Sequence, residues 1–149
     1  MKTVSVKAKK LSPDAEVPRQ ADPGSSGFDV LAVEDAVLLP QEITVVPTGL
    51  AFEIPDGYEI QVRPRSGLAA KHGITVLNSP GTVDASYRGE VKVILFNTKP
   101  RGGGNLYQIK KGDRIAQLVV CQVPKVMFEV TDDLQETSRG EGGFGSTGV

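Results

Sequence analysis

Apolar side chains recur at every second position in several short stretches of this 149-residue chain, and almost nowhere at helical spacing. Residues 3–9 alternate, and residues 58–63 set Tyr58, Ile60 and Val62 opposite Glu59, Gln61 and Arg63. Successive side chains of a strand point to opposite faces, so this period of two predicts half-buried β-strands. Val91, Val93 and Leu95 share another such face. The opposite face runs Glu90, Lys92, Ile94, Phe96, which predicts a strand that begins half-buried and ends buried on both sides. Residues 115–123 are apolar almost throughout around Gln117, the mark of a central strand or of one at a subunit contact. Turn signals such as Pro47-Thr48-Gly49, Pro55-Asp56-Gly57, Ser79-Pro80-Gly81 and Lys111-Gly112-Asp113 come at short intervals. Many short strands between such turns predict an all-β fold, a sandwich, jelly roll or barrel. Only residues 66–72 could form a helix, of one or two turns, with Ser66 as its N-cap and free amides aimed at an anion. Composition breaks after about Thr131, and residues 140–149 hold five glycines and little to bury. The expected organisation is therefore a β-body over 1–131 and a flexible Gly-rich arm over 132–149.

Bulk properties narrow the class. The length fits one domain. With 39% hydrophobic and 23% charged residues the chain is ordinary for a globular protein; lacking Trp, it must build its core from aliphatic side chains. A net charge of −1 without a basic run disfavours nucleic-acid binding, which draws its affinity from phosphate neutralisation. A few local arginines still suffice for a small anion. One cysteine, Cys121, excludes an intrachain disulfide and fits a reducing compartment. The N-terminus lacks the apolar core of a signal peptide, and no stretch approaches about 20 apolar residues. A cytoplasmic protein without membrane contact is expected.

Five segments could carry chemistry. In the tail, Gly140, Gly142 and Gly145 mimic a dinucleotide fingerprint, but no strand–helix context follows, and Ser146 stands where a phosphate-binding loop needs Lys. What remains is physical: glycine-exposed amides, the hydroxyls of Ser146 and Thr147 and the Arg139 guanidinium can wrap a polyphosphate, with Phe144 able to cap a base. A plain polar tail is the simpler reading, against which the ordered mix of these side chains argues. Residues 77–90 read as a hairpin-like stretch. In it Asp84 is either a turn residue bonding its own backbone or a carboxylate held beside a cavity; Asn78 is a loop former and Tyr87 a rim aromatic. Pro64-Arg65-Ser66-Gly67 couples a guanidinium and a hydroxyl to the possible helix start. Gln117 in its apolar strand must find a partner, in a ligand or in neighbouring backbone. Ser26-Gly27-Phe28-Asp29-Val30 places a carboxylate just after a turn. His72, the single histidine, and Cys121 form no metal set and read as structural.

Together, in this order and spacing, these segments closely resemble the five motifs of the trimeric dUTPase family, over residues from about 20 to the C-terminus. The resemblance implies a jelly-roll-like homotrimer whose subunits share active sites, and hydrolysis of dUTP to dUMP and pyrophosphate with Mg²⁺. It implies that Asp84 activates the water, that Tyr87 packs on the deoxyribose and that Asn78 meets the uracil. Ser66 and Gln117 correspond to phosphate contacts, and Arg65 to a phosphate-binding guanidinium from a neighbouring chain. Gly67, Gly81 and Val83 fall among the substrate-binding positions, as do Arg139, Phe144, Gly145, Ser146 and Thr147 of a closing arm. Asp29 matches a carboxylate that reaches the metal through water, the ion itself being held by the triphosphate; Arg114 reads as structural. Departures from the usual pattern are mild: Ser26 for Ala, Val30 for Leu, Val83 for Ile. Two alternatives share the fold. A dCTP deaminase-like enzyme would need a catalytic Glu where Ile94 stands. A non-catalytic nucleotide-binding module would not need every catalytic position filled.

Overall fold

The computed structural model describes residues 3–148. Met1, Lys2 and Val149, which the expected body and arm include, lie outside the described residues. In chain order the elements are β1 (Lys7–Lys10), β2 (Phe28–Leu31), β3 (Ala36–Leu38), β4 (Ile43–Pro47), β5 (Leu50–Glu53), β6 (Tyr58–Arg63), α1 (Ser66–His72), β7 (Ile74–Val76), β8 (Gly81–Val83), β9 (Lys92–Asn97), β10 (Tyr107–Ile109) and β11 (Arg114–Gln122). Every ladder among them is antiparallel. The larger sheets are four-stranded, in the order β2-β11-β6-β8, and three-stranded, in the order β4-β9-β7; β1-β5 and β10-β3 are two-stranded. The fold is all-β and jelly-roll-like, with α1 its one described helix.

Period-two patterning explains β6 and β9, while β11 is buried on both faces at its start. Ile60 and Val62 of β6, Val93 and Leu95 of β9, and Ile115, Ala116 and Leu118 of β11 are buried in one aliphatic core with Val30, Leu38, Val46 and Leu50. The apolar run of β11 belongs to a central strand, paired with β2 on one side and β6 on the other. Two buried polar side chains tie the core to its loops. Thr48 donates its hydroxyl to Val91 O at 2.6 Å, and Asn97 donates its amide to Leu38 O and Asn105 O at 3.0 and 2.9 Å. Both are satisfied, as buried polar groups must be.

Four expectations need correction. The alternating run over residues 3–9 is strand only from Lys7, and the four residues of β1 are exposed rather than half-buried. The stretch over 77–90 is not a hairpin: β7 pairs with β9 and β8 with β6, so the turn through the cis Ser79–Pro80 bond carries the chain from one sheet to another. Ser66 is the first helical residue rather than the N-cap; Arg65 occupies that position in extended conformation and makes no side-chain cap bond. Ile94 and Phe96 are only half-buried, so the second face of β9 is not closed within one chain. Residues 123–148 contain no strand or helix and are almost all exposed.

Candidate active site

The first cleft opens beside β8. Val83 is buried at the strand end, and Asp84 then starts a turn closed by the Tyr87 N–H on Asp84 O at 3.0 Å. That turn puts the Asp84 carboxylate and the Tyr87 ring at the mouth of a cavity of about 180 Å³. Asn78 and Gly81 line it from the turn before β8, with Val62 and Ile94 as apolar wall. Gly81 allows close approach: a Cβ there would stand 3.2 Å from both Asn78 Nδ2 and Val62 Cβ. Tyr87 donates its phenol to Glu90 O at 2.9 Å, which pins the ring to the start of β9. Among the described residues the Asp84 carboxylate has no hydrogen-bond or ion-pair partner. It is therefore free to accept a proton from a ligand or water.

A second cleft, of about 310 Å³, lies where β2 and β11 meet the start of α1. Arg65, Ser66 and Gly67 line one side, and Ser26, Asp29 and Gln117 the other. Asp29 accepts the Arg65 Nε–H at 3.0 Å, and its other oxygen lies 3.7 Å from Arg114 Nη1. This fixes the Arg65 guanidinium at the cleft wall. Gln117 donates its amide to Pro64 O at 3.0 Å, so its partner is backbone, while its carbonyl oxygen lies so close to Gly27 that a Cβ there would make the Gln117 side chain shift. At the rim the Ser25 hydroxyl, and then the Gly24 N–H, hold the exposed Asp22 carboxyl below the ordinary carboxylate value and brace the turn before Ser26.

The expected site residues thus fall into three groups. Asn78, Gly81, Val83, Asp84 and Tyr87 meet at the first cleft, and Arg65, Ser66, Gly67, Gln117 and Asp29 at the second. The two clefts share no lining residue, although Ser66 and Gln117 also face the Ser79–Pro80 turn across a shallow groove. Arg139, Phe144, Gly145, Ser146 and Thr147 line neither cleft; the Arg139 Nε–H bonds Gly142 O at 2.8 Å and Phe144 is fully exposed. Glu90 and Lys92, 3.7 Å apart, also line the first cleft and were not foreseen as site residues. Their signal was present as the polar face of the strand, but a solvated face gives the same signal.

The fold and its two clefts, one of amide, carboxylate and phenol and the other of guanidinium, carboxylate, hydroxyl and amide, define a jelly-roll β-protein built to hold a small polar ligand. Comparison with known proteins makes the class particular. The dUTPase family model matches residues 13–148. A deoxyuridine 5'-triphosphate nucleotidohydrolase of Thermobifida fusca is 52% identical over 146 residues, covering 98% of this chain and 80% of that protein. The Staphylococcus bacteriophage 80alpha dUTPase, solved as a mutant with dUpNHpp, superposes with a TM-score of 0.92 at 29% identity, covering 99% of this chain and 100% of the other. A mutant dUTPase of phage phi11 of S. aureus, described as revealing the coordination of a structural Mg(II) ion, superposes with a TM-score of 0.82 at 25% identity, covering 89% of this chain and 99% of the other. The chain belongs to the dUTPase family.

Proposed function

We propose that this protein hydrolyses dUTP to dUMP and pyrophosphate by attack of water on the α-phosphate, as a homotrimer that shares its sites between subunits. The reaction clears dUTP from the nucleotide pool and supplies dUMP for thymidylate synthesis. The observation that carries the reading is the partnerless Asp84 carboxylate, fixed by a turn at the mouth of a cleft lined by Asn78 and Tyr87. Support comes from the relatives' name and from dUpNHpp, in which NH replaces the oxygen between the first and second phosphates.

In this reading Asn78 and the backbone around Gly81 hydrogen-bond the uracil. Groups placed for one base edge are left unpaired by another, which supports discrimination of up to about 10⁴–10⁵. The Tyr87 ring, packed on the sugar, leaves a ribose hydroxyl without a partner. Arg65, Ser66, Gly67 and Gln117 of a neighbouring chain bind the phosphates, Arg65 neutralising charge that grows in the transition state. Asp84 orients the water and accepts its proton. Residues 132–149 act as the arm that closes the site, Phe144 over the base and Arg139, Gly145, Ser146 and Thr147 on the phosphates.

The residues fit Mg²⁺ as a substrate-held ion. Among the described residues no three His, Cys, Asp or Glu side chains gather as a metal cage, and Asp29 is the one carboxylate lining the second cleft. Mg²⁺ is bound in this way elsewhere, by one or two carboxylates, waters and substrate phosphates. Bound there, it would neutralise the triphosphate and polarise its phosphorus. Asp29 would reach it through water while keeping Arg65 in place.

Three observations support sharing between copies. The clefts share no lining residue, and the first is smaller than the roughly 300–1,000 Å³ of pockets for drug-sized ligands. Ile43 and Val45 of β4 flank the half-buried Ile94 and Phe96 on an open apolar sheet face. Val126, Met127, Phe128 and Val130 also stand exposed, an apolar stretch unusual for a monomer. No described helix is long and apolar enough to cross a membrane; a cytoplasmic location is proposed on the lone cysteine.

Incubation with Mg²⁺ and each of dUTP, dCTP, dTTP and UTP tests the function. dUMP and pyrophosphate are expected from dUTP alone. Release of ammonia from dCTP, or binding of dUTP without products, would replace the reading by the deaminase or the non-catalytic module.

A further inference from the structure

A glycine is required where φ is positive or where a Cβ has no room. Gly89 does not have a positive φ, so no left-handed backbone conformation requires a glycine there. Its surroundings do. A Cβ at Gly89 would stand 2.6 Å from Tyr87 Cζ and 3.0 Å from Tyr87 Cε2, and closer still to the phenol oxygen. The ring cannot step aside without losing its O–H bond to Glu90 O at 2.9 Å, and the turn that carries it is closed by the Tyr87 N–H on Asp84 O. Tyr87 is nonetheless 46% exposed, so core packing alone does not fix where the ring lies.

We infer that Gly89 is a positioning residue: its bare Cα is the seat on which the Tyr87 ring rests, and the depth of that seat sets how closely the ring approaches a bound sugar. The consequence for sugar selectivity rests on Tyr87 being the deoxyribose contact; the seat itself does not. Gly89→Ala lifts the ring from its seat and breaks or lengthens the bond to Glu90 O. The ring no longer lies where it fits the sugar, and the ratio of kcat/KM for dUTP over UTP changes by at least about 10-fold, the discrimination that one methylene-sized change in a pocket carries.

The chain has three tyrosines, Tyr58, Tyr87 and Tyr107, so full-length protein labelled with 3-fluorotyrosine gives three fluorine resonances, and Tyr87→Phe assigns one of them. In Gly89→Ala the Tyr87 resonance is expected to move while those of Tyr58 and Tyr107 stay. The double variant Gly89→Ala/Tyr87→Ala is expected to match Tyr87→Ala in selectivity, because without the ring the added methyl meets nothing. A Tyr87 resonance unmoved in Gly89→Ala overturns the inference whatever the kinetics. A moved resonance, with selectivity unaltered by Tyr87→Ala, keeps the seat and removes the sugar role of the ring. If Gly89→Ala does not fold but the double variant does, the clash is established; if neither folds, Gly89 serves the backbone and the inference fails.

Discussion

Asp84 stands on the first residue past β8, with its carbonyl engaged by the Tyr87 N–H and its carboxylate unengaged among the described residues. Backbone fixes the position and leaves the side chain available, an arrangement suited to a general base. Asp84→Asn keeps the shape and removes the base. Steady-state hydrolysis of dUTP should then show kcat lowered at least about 10²-fold with KM little changed; near-normal turnover would take Asp84 out of the mechanism. Asp29, Arg65, Ser66, Asn78, Asp84, Tyr87 and Gln117 stand out in the sequence as polar side chains beside turns or interrupting an apolar strand, whereas Gly67, Gly81 and Val83 came only with the family resemblance. Gln117 is the clearest, since an amide inside an apolar run must have a partner, and that partner is Pro64 O. Glu90 and Lys92 were hidden because a charged strand face reads as solvated whether or not it borders a cleft. Ser66 was misplaced by one residue: its hydroxyl suits an N-cap, yet Arg65, held extended after Pro64, takes that position.

At the scale of elements, local alternation was legible where one face is buried, but not over residues 3–9, where only the exposed Lys7–Lys10 is strand, and what depends on distant pairing was not legible. Tyr58–Arg63 is β6 over the full stretch of its alternation, and Ser66–His72 is the one described helix. Its end at Gly73, with φ 66° and the N–H returned to Ala69 O and Leu68 O, is the usual left-handed stop. The partners of β7 and β8 were misread because two short runs joined by a Pro-Gly turn look alike whether they pair with each other or, as here, with β9 and β6. β3 and β10, three residues each, are too short to show a period at all. The proposed arm is an element of another kind. Apart from Asp133, which exchanges bonds with the adjacent Thr131, the hydrogen bonds of its described residues, those of Arg139, Gly140, Gly142, Ser146 and Gly148, stay within the segment. Removing residues 139–149 is expected to leave the melting temperature unchanged and to lower dUTP hydrolysis by about 10²-fold, through loss of positioning and of the phosphate contacts. Calorimetry together with a pyrophosphate assay checks both halves; full activity in the shortened chain would make the arm irrelevant.

The whole molecule is where one chain stops being sufficient. The clefts of Asp84 and of Ser66 are separate surfaces, the outer face of β4 and β9 is open, and Phe128 and Val130 are 97% and 102% exposed. Each is explained if three copies close around one another so that the first cleft of one meets the second cleft of the next. The direct measurement is complementation. Asp84→Asn chains and chains carrying Ser66→Ala with Gln117→Ala, each inactive alone, are mixed in equal amounts, unfolded, refolded together, and confirmed as mixed trimers by native mass spectrometry. Where a site takes Asp84 from one chain and the phosphate contacts from another, each half is intact with a chance of about one half. About a quarter of wild-type activity should then return. Mixed trimers that stay inactive would place both clefts of a site on the same chain and contradict the shared site.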